Sequence, residues 1–173
     1  MAQTLTCPFP SDINTLSNVG FQFNITKIPE ITYFCQTADL PEMSLGDASQ
    51  KTSLVDLPLP GDKIQYSPLK IDFLVDSTMT NYKAVHNWMV GLGFPESHEQ
   101  FTKLQNDNTL DNSFEYSDGT LTILNSSNTS TATVSFIDLF PVSLNTITFS
   151  AKETDIIYVV GSATFLYSYY HFN

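Results

Sequence analysis

The chain has 173 residues, of which 42% are apolar, 13% aromatic and only 14% charged, so it can bury a substantial core and is not the highly charged, aromatic-poor material of disordered segments. Its 18 acidic residues stand against 7 lysines and no arginine, a formal net charge of −11. Such a balance excludes tight, phosphate-gripping recognition of nucleic acid and electrostatic capture by an anionic membrane, for which arginine is the best side chain.

Residues 1–18 carry Pro8 and Pro10 in a polar context and read as an N-terminal arm, with neither a cationic start nor an apolar run of signal-peptide type. Phe21, Phe23 and Ile25 alternate with Gln22 and Asn24, the period of a half-buried strand. After Pro29, residues Ile31 to Gln36 are expected to form a second strand, with Tyr33 and Cys35 on one face and Thr32 and Phe34 on the other. Residues 41–68 are broken by Pro41, Gly46, Pro58, Pro60, Gly61 and Pro68; strands are expected over Thr52 to Leu57 and Lys63 to Tyr66. With Leu54, Leu57 and Leu59 lacking an obvious partner pattern, this segment reads as a projecting β-hairpin arm that needs a second surface to cover it.

Leu69, Ile71, Phe73 and Val75 alternate with Lys70, Asp72 and Asp76 in the cleanest strand pattern of the chain. The period then lengthens. Tyr82, Val85, Met89 and Leu92 mark one face of a helix over residues 78–92, with Ser77, Thr78 and Thr80 as candidate N-caps and Gly91, Gly93 and Pro95 as stop signals. A short second helix carrying Phe101 and Leu104 is expected over 96–105. Residues 105–131 form a polar loop region interrupted by a strand from Thr120 to Leu124 after a turn at Asp118-Gly119. Further strands are expected from Thr133 to Asp138, ended by Phe140-Pro141, and from Leu144 to Phe149. A long final strand over 155–172 would put Ala163, Phe165, Tyr167 and Tyr169 on one face. The sum is a single domain, 1–173, mainly β: an antiparallel sandwich or barrel with one packed helix and the projecting hairpin.

Motifs of catalysis are absent from the sequence: there is no Gly-rich phosphate loop, no Gly-x-Ser-x-Gly, and Thr102 stands where a zinc-protease helix beginning at His98-Glu99 needs its second histidine. No catalytic, cofactor or metal residue is assigned, and His86 reads as a packing or interface residue. Cys7 and Cys35 read as free thiols, and Asn24-Ile-Thr26, Asn125-Ser-Ser127 and Asn128-Thr-Ser130 as chance glycosylation matches. The alternating oxygens of Asp107, Thr109, Asp111, Ser113 and Glu115 suggest a calcium loop only loosely, because Asn112 and Asp118 replace the required glycine and glutamate; a solvated acidic loop is the favoured reading.

The order of parts carries a resemblance. Tyr33-Phe-Cys-Gln-Thr-Ala-Asp-Leu-Pro41 leads into the arm through Pro58-Leu-Pro-Gly-Asp62. The strand Leu69 to Asp76 feeds a helix bearing Trp88, and Leu139-Phe140-Pro141 precedes a terminal aromatic strand ending Tyr169-Tyr170-His-Phe172. Over roughly residues 20–172 this resembles the tail tube proteins of large contractile-tailed phages. The resemblance implies a non-enzymatic virion subunit, assembled in the host cytoplasm into hexameric rings. These would stack around a channel for DNA, with sheath, baseplate and tape measure proteins as partners and no membrane. It implies that Leu54, Leu57 and Leu59 stack one ring on the next, and the acidic charge leads to the expectation that Asp72 and Asp76 lie toward the lumen. The alternatives are a baseplate tube initiator or neck terminator of the same fold, and a carbohydrate-binding sandwich using Tyr33, Trp88, Tyr169 and Tyr170.

Overall fold

A computed structural model describes residues 16, 18–107, 115–150, 152 and 157–173; the N-terminal arm and the alternating oxygens at 109, 111 and 113 lie outside these, as does Cys7. The elements in chain order are β1 (Phe21–Ile25), α1 (Glu30–Phe34), β2 (Cys35–Ala38), β3 (Met43–Lys51), β4 (Asp56–Tyr66), β5 (Leu69–Leu74), α2 (Thr80–Gly93), α3 (Glu99–Asp107), β6 (Ser117–Leu124), β7 (Ser130–Leu144), β8 (Val160–Leu166) and β9 (Tyr169–Phe172). The fold is mainly β and antiparallel throughout, as the alternating patterns predict.

Two sheets share one strand. The first half of β7 pairs with β6 on one side and β9 on the other, and β6 pairs with β1. The second half of β7 pairs with β8, which continues through β5 to β2. The bend falls at Asp138, whose φ of 56° is left-handed, a region that Asp enters more readily than most residues. The chain between β8 and β9 bends beside it: the Ser168 N–H donates to Ile137 O at 2.9 Å and its hydroxyl to the Asp138 carboxylate at 2.9 Å. Phe23, Ile25, Leu69, Ile71, Phe73, Val134, Phe136, Leu139 and Phe165 are fully buried in the space enclosed by these bends.

Several elements differ from the sequence expectation. Residues Glu30–Phe34 form a helical turn, because Pro29 adopts a helical φ of −65° and ψ of −19° and its carbonyl accepts the Thr32 N–H. Helical spacing then buries Ile28 and Ile31 together and turns Tyr33 outward. Pro141 does not end β7. It lies opposite Phe165 where the register shifts, so its missing N–H falls at an irregularity of the ladder. The strand continues to Leu144 and stops; residues 145–150 are not a strand, and Phe149 is exposed. Asp118-Gly119 lies within β6 at a register shift, not at a turn. The bend after Leu166 divides the last strand in two, so that Tyr170 joins the aromatic packing while Tyr169 is exposed.

Helix α2 packs on the core through Val85 and Trp88, with Tyr82, Met89 and Leu92 at the margin. His86 is exposed. None of Ser77, Thr78 and Thr80 is the N-cap: that position is Met79, and the preceding turn is held by Asp76, whose carboxylate accepts the Thr78 N–H at 2.6 Å and the Thr80 N–H at 3.3 Å. The buried Asn81 joins the helix to the end of β5, donating its amide to Leu74 O at 2.7 Å and accepting the Asp76 N–H at 3.3 Å. Gly91 lets α3 approach, for a Cβ there would stand 3.0 Å from Leu104.

Strands β3 and β4 form a separate two-stranded ribbon. The expected strand from Thr52 to Leu57 is instead the hairpin tip followed by the start of β4, the Val55 N–H donating to the Thr52 hydroxyl at 3.2 Å. Pro58, Pro60 and Gly61 all lie inside β4. Each strand of a two-stranded ribbon is an edge, and an outward-facing proline there loses no ladder bond. The ladder shifts between Leu45 and Asp47, where Gly46 and Gly61 cross so closely that a Cβ on Gly61 would lie 2.2 Å from the Gly46 carbonyl oxygen.

Two expectations follow. Asn81→Ala leaves Leu74 O and the Asp76 N–H without their buried partner and should cost about 1–3 kcal/mol in chemical denaturation. Gly61→Val should open the ribbon, raising amide exchange across β3 and β4, while protection of β6 and β7 stays at the wild-type level.

Candidate functional site

Every residue of β3, and every residue of β4 except Gly61 and Tyr66, is exposed. A ribbon of nine and eleven residues therefore touches the body only at its root. At about 3.3 Å per residue it reaches roughly 30 Å. Leu54 at the tip is 96% exposed, and Leu57 and Leu59 are 47% and 45% exposed, so the three leucines singled out in the sequence sit together on the outer half of the arm with nothing over them. The pairing places Leu57 opposite Gln50 and Leu59 opposite Ala48, on one face. Nearer the body, Met43 opposes Tyr66 and Leu45 opposes Ile64, so the arm carries a second exposed apolar group. An isolated two-stranded ribbon of this length with uncovered leucines is marginal in water and needs a further surface.

The root is built differently. The ring of Tyr66 lies 5.9 Å from that of Tyr167 and 5.4 Å from that of Tyr170, and both of these contact buried Phe136, at 5.1 and 5.7 Å. The Tyr167 hydroxyl donates to Ser67 O at 2.9 Å, and the Tyr170 hydroxyl to Pro41 O at 3.4 Å, one at each end of the arm. Burial, with Tyr170 and Tyr66 adjacent, pushes the Tyr167 phenol up to about 12, which keeps it a donor. Sequence reading missed this socket; its signal was the Tyr167-Ser-Tyr-Tyr170 run, which reads as strand alternation until the bend puts two of its rings on one side.

Asp72 and Asp76 are not brought together with the arm leucines. Asp72 lies midway along β5 on the face opposite buried Ile71 and Phe73; its carboxylate accepts the Thr37 hydroxyl at 2.8 Å and the Ser162 hydroxyl. Asp76 stands just beyond β5, where hydrogen bonds from Thr78 hold its carboxyl below the usual range. Cys35, beside Asp72, is pushed up to about 11 by burial and by that carboxylate, so its thiol stays protonated and inert at neutral pH. Trp88 is buried, donating to Glu115 O at 3.2 Å and covered by the Lys27 ammonium 4.8 Å from its ring centre. It is thus not available beside Tyr33 and Tyr169 as a sugar platform. Among the described residues no cluster of three or more His, Cys, Asp or Glu is placed to hold a metal.

Strands β1, β2 and β9 each pair on one side only among the described residues. Among the described residues, the exposed features thus include a greasy projection and several open sheet edges, which are sites where other chains can add.

Known structures share this fold. The anti-feeding prophage tube-terminating cap is 13% identical, with a TM-score of 0.62 over 98% of each chain. The sheath/tube terminator of an extracellular contractile injection system is 18% identical, with a TM-score of 0.56 over 96% of this chain and 99% of that one. A chain from the sheath–tube complex of the same kind of system, in its extended state, is 17% identical with a TM-score of 0.54, covering 92% and 91%. These likenesses concern the fold. No curated protein matches the sequence. The family described as phage tail tube protein matches residues 4–173, nearly the whole chain, and the chain belongs to that family.

Proposed function

We propose that copies of this chain close into six-membered rings that stack as a tail tube around a channel through which DNA passes. The observation that supports this reading best is the arm: about 30 Å of ribbon carrying Leu54, Leu57 and Leu59, held at its root and uncovered beyond it. A subunit that lived alone would expose this surface at a cost, whereas a neighbour in the next ring removes it from water. The open edges at β1, β2 and β9 supply the lateral counterpart, since strands of adjacent copies can continue the sheets into a closed wall. The role is structural and asks for no catalytic group. The partners in this reading are further copies of the chain, a surrounding sheath, a baseplate, and a tape measure protein inside, assembled in the host cytoplasm into the virion tail.

Charge supports the passage of DNA. Six copies at −11 each carry about −66, without arginine. An acidic wall binds no phosphate and releases no counterions, and with a Debye length of about 8 Å at physiological salt its repulsion acts as a short-range non-stick lining. In this reading Asp72 and Asp76 contribute to that lining. A second reading keeps the fold and moves the position, to a tube initiator or terminator. The cap of the anti-feeding prophage shares the fold over 98% of each chain, but at 13% identity that likeness does not extend to its place in the tail.

Leu54→Asp or Leu57→Asp should change monomer stability by less than about 0.5 kcal/mol, because both sites are exposed, yet abolish tubes seen by electron microscopy. Tubes of normal length from either variant would count against the arm. If the chain is a terminator, the wild-type protein added to growing tubes shortens them instead of extending them. Asp72→Asn, which removes the charge but keeps an oxygen acceptor for the Thr37 and Ser162 hydroxyls, leaves assembly intact and slows DNA ejection; Asp76 is left unchanged in this test because it holds the turn before α2.

A further inference from the structure

We propose that the tip of the arm seats in an apolar groove at the far end of the second sheet on another copy of this chain. The inference rests on the stacked-ring reading above and names the surface that receives the arm.

The groove has a volume of about 640 Å³ and lies where β5 runs out toward α2. Its apolar walls include Phe34, Val75, Met79, Phe149, Ile157 and Tyr158. Phe149, Ile157 and Tyr158 are 74%, 69% and 77% exposed. Large aromatic side chains carry about 150–250 Å² each, so Phe149 and Tyr158 alone leave on the order of 300 Å² uncovered, the size of patch that marks a docking surface, and Ile157 adds to it. Tyr33, 88% exposed and packed edge-on against Phe34 at 5.1 Å, extends the same surface.

The position of the groove argues for a second copy as its occupant. In the β5–β8 ladder Leu69 faces Phe165 at one end and Leu74 faces Val160 at the other. The arm is rooted at the first end, where Tyr66 and Ser67 enter β5 and Tyr167 follows β8. The groove is at the second end, beside Leu74 and Val159. Six extended residues put about 20 Å between them. An apolar arm rooted at one end of this ladder and an apolar groove at the other are placed to meet head to tail in neighbouring copies. A contact of that kind does not close on itself and so propagates along an axis. Charge agrees: Lys51 is exposed close to the Leu54 tip, and the carboxylate of Asp76 stands at the rim of the groove. A contact that buries Leu54 among aromatic rings, with an ion pair at its edge, has the apolar centre and polar rim of a specific interface.

The test uses the full-length protein carrying Cys7→Ser, assembled into tubes and then oxidised. Leu54→Cys combined with Tyr158→Cys should give a reductant-sensitive ladder of protomer multiples on a denaturing gel. A control joining Leu54→Cys to Ser127→Cys, on the turn between β6 and β7, should give at least tenfold less. Tubes without a ladder, or equal ladders from both pairs, would overturn the groove assignment while leaving stacked rings standing. A wild-type protein that forms no tubes would overturn the stacked-ring reading and this inference with it. As an independent readout, Ile157→Asp should reduce pelletable tube at least tenfold with an unchanged thermal midpoint; wild-type pelleting would refute the groove as the receiving surface.

Discussion

The bend at Asp138 is the constraint on which the rest of the molecule depends. A fifteen-residue strand that stayed straight would belong to one sheet, but the left-handed residue at position 138 sends the second half of β7 into the other. The chain between β8 and β9 must bend at the same level, because Ser168 is bonded to both Ile137 and Asp138. Both sheets therefore close over one set of buried side chains. The closure also moves Tyr167 and Tyr170 onto Phe136, building the socket from which the arm emerges. Core and arm are thus one aromatic assembly, and what stabilises the interior also aims the projection.

The arm obeys different rules from the body. Its prolines, its crossing glycines and its exposed leucines would all be costly inside a multi-stranded sheet. In a ribbon with two edges the prolines lose nothing, and the close approach of Gly61 to Gly46 permits a ladder shift between the inner and outer halves. The two apolar groups on either side of that shift are offset along the arm. Within the protomer such a surface leaves its leucines in water, so burying them adds stability only through contact with another molecule.

The acidic residues divide into those with structural employment and those without. Asp76 holds the turn into α2, Asp72 links β2 to β8 through two hydroxyls, and Asp138 sits at the bend. The hydrogen bonds of these carboxylates serve the fold.

The alternation of Phe21, Phe23 and Ile25, and of Leu69, Ile71 and Phe73, was enough to identify strands that prove buried on one face, and the three- and four-residue spacing around Val85 identified α2. The lack of partners for Leu54, Leu57 and Leu59 was legible too, because an arm makes few contacts for tertiary structure to alter. The sequence could not show that Pro141 lies within a strand, that Glu30–Phe34 turns as a helix, or that Asn81 bridges β5 to α2. Each of these depends on partners distant in the chain: a register shift opposite Phe165, Ile28 and Ile31 meeting the core together, and a carbonyl at Leu74. Local pattern thus determined which residues seek cover and with what period. Tertiary packing alone decided which of them find it within the protomer, because burial is a property of what lies opposite and not of what lies adjacent.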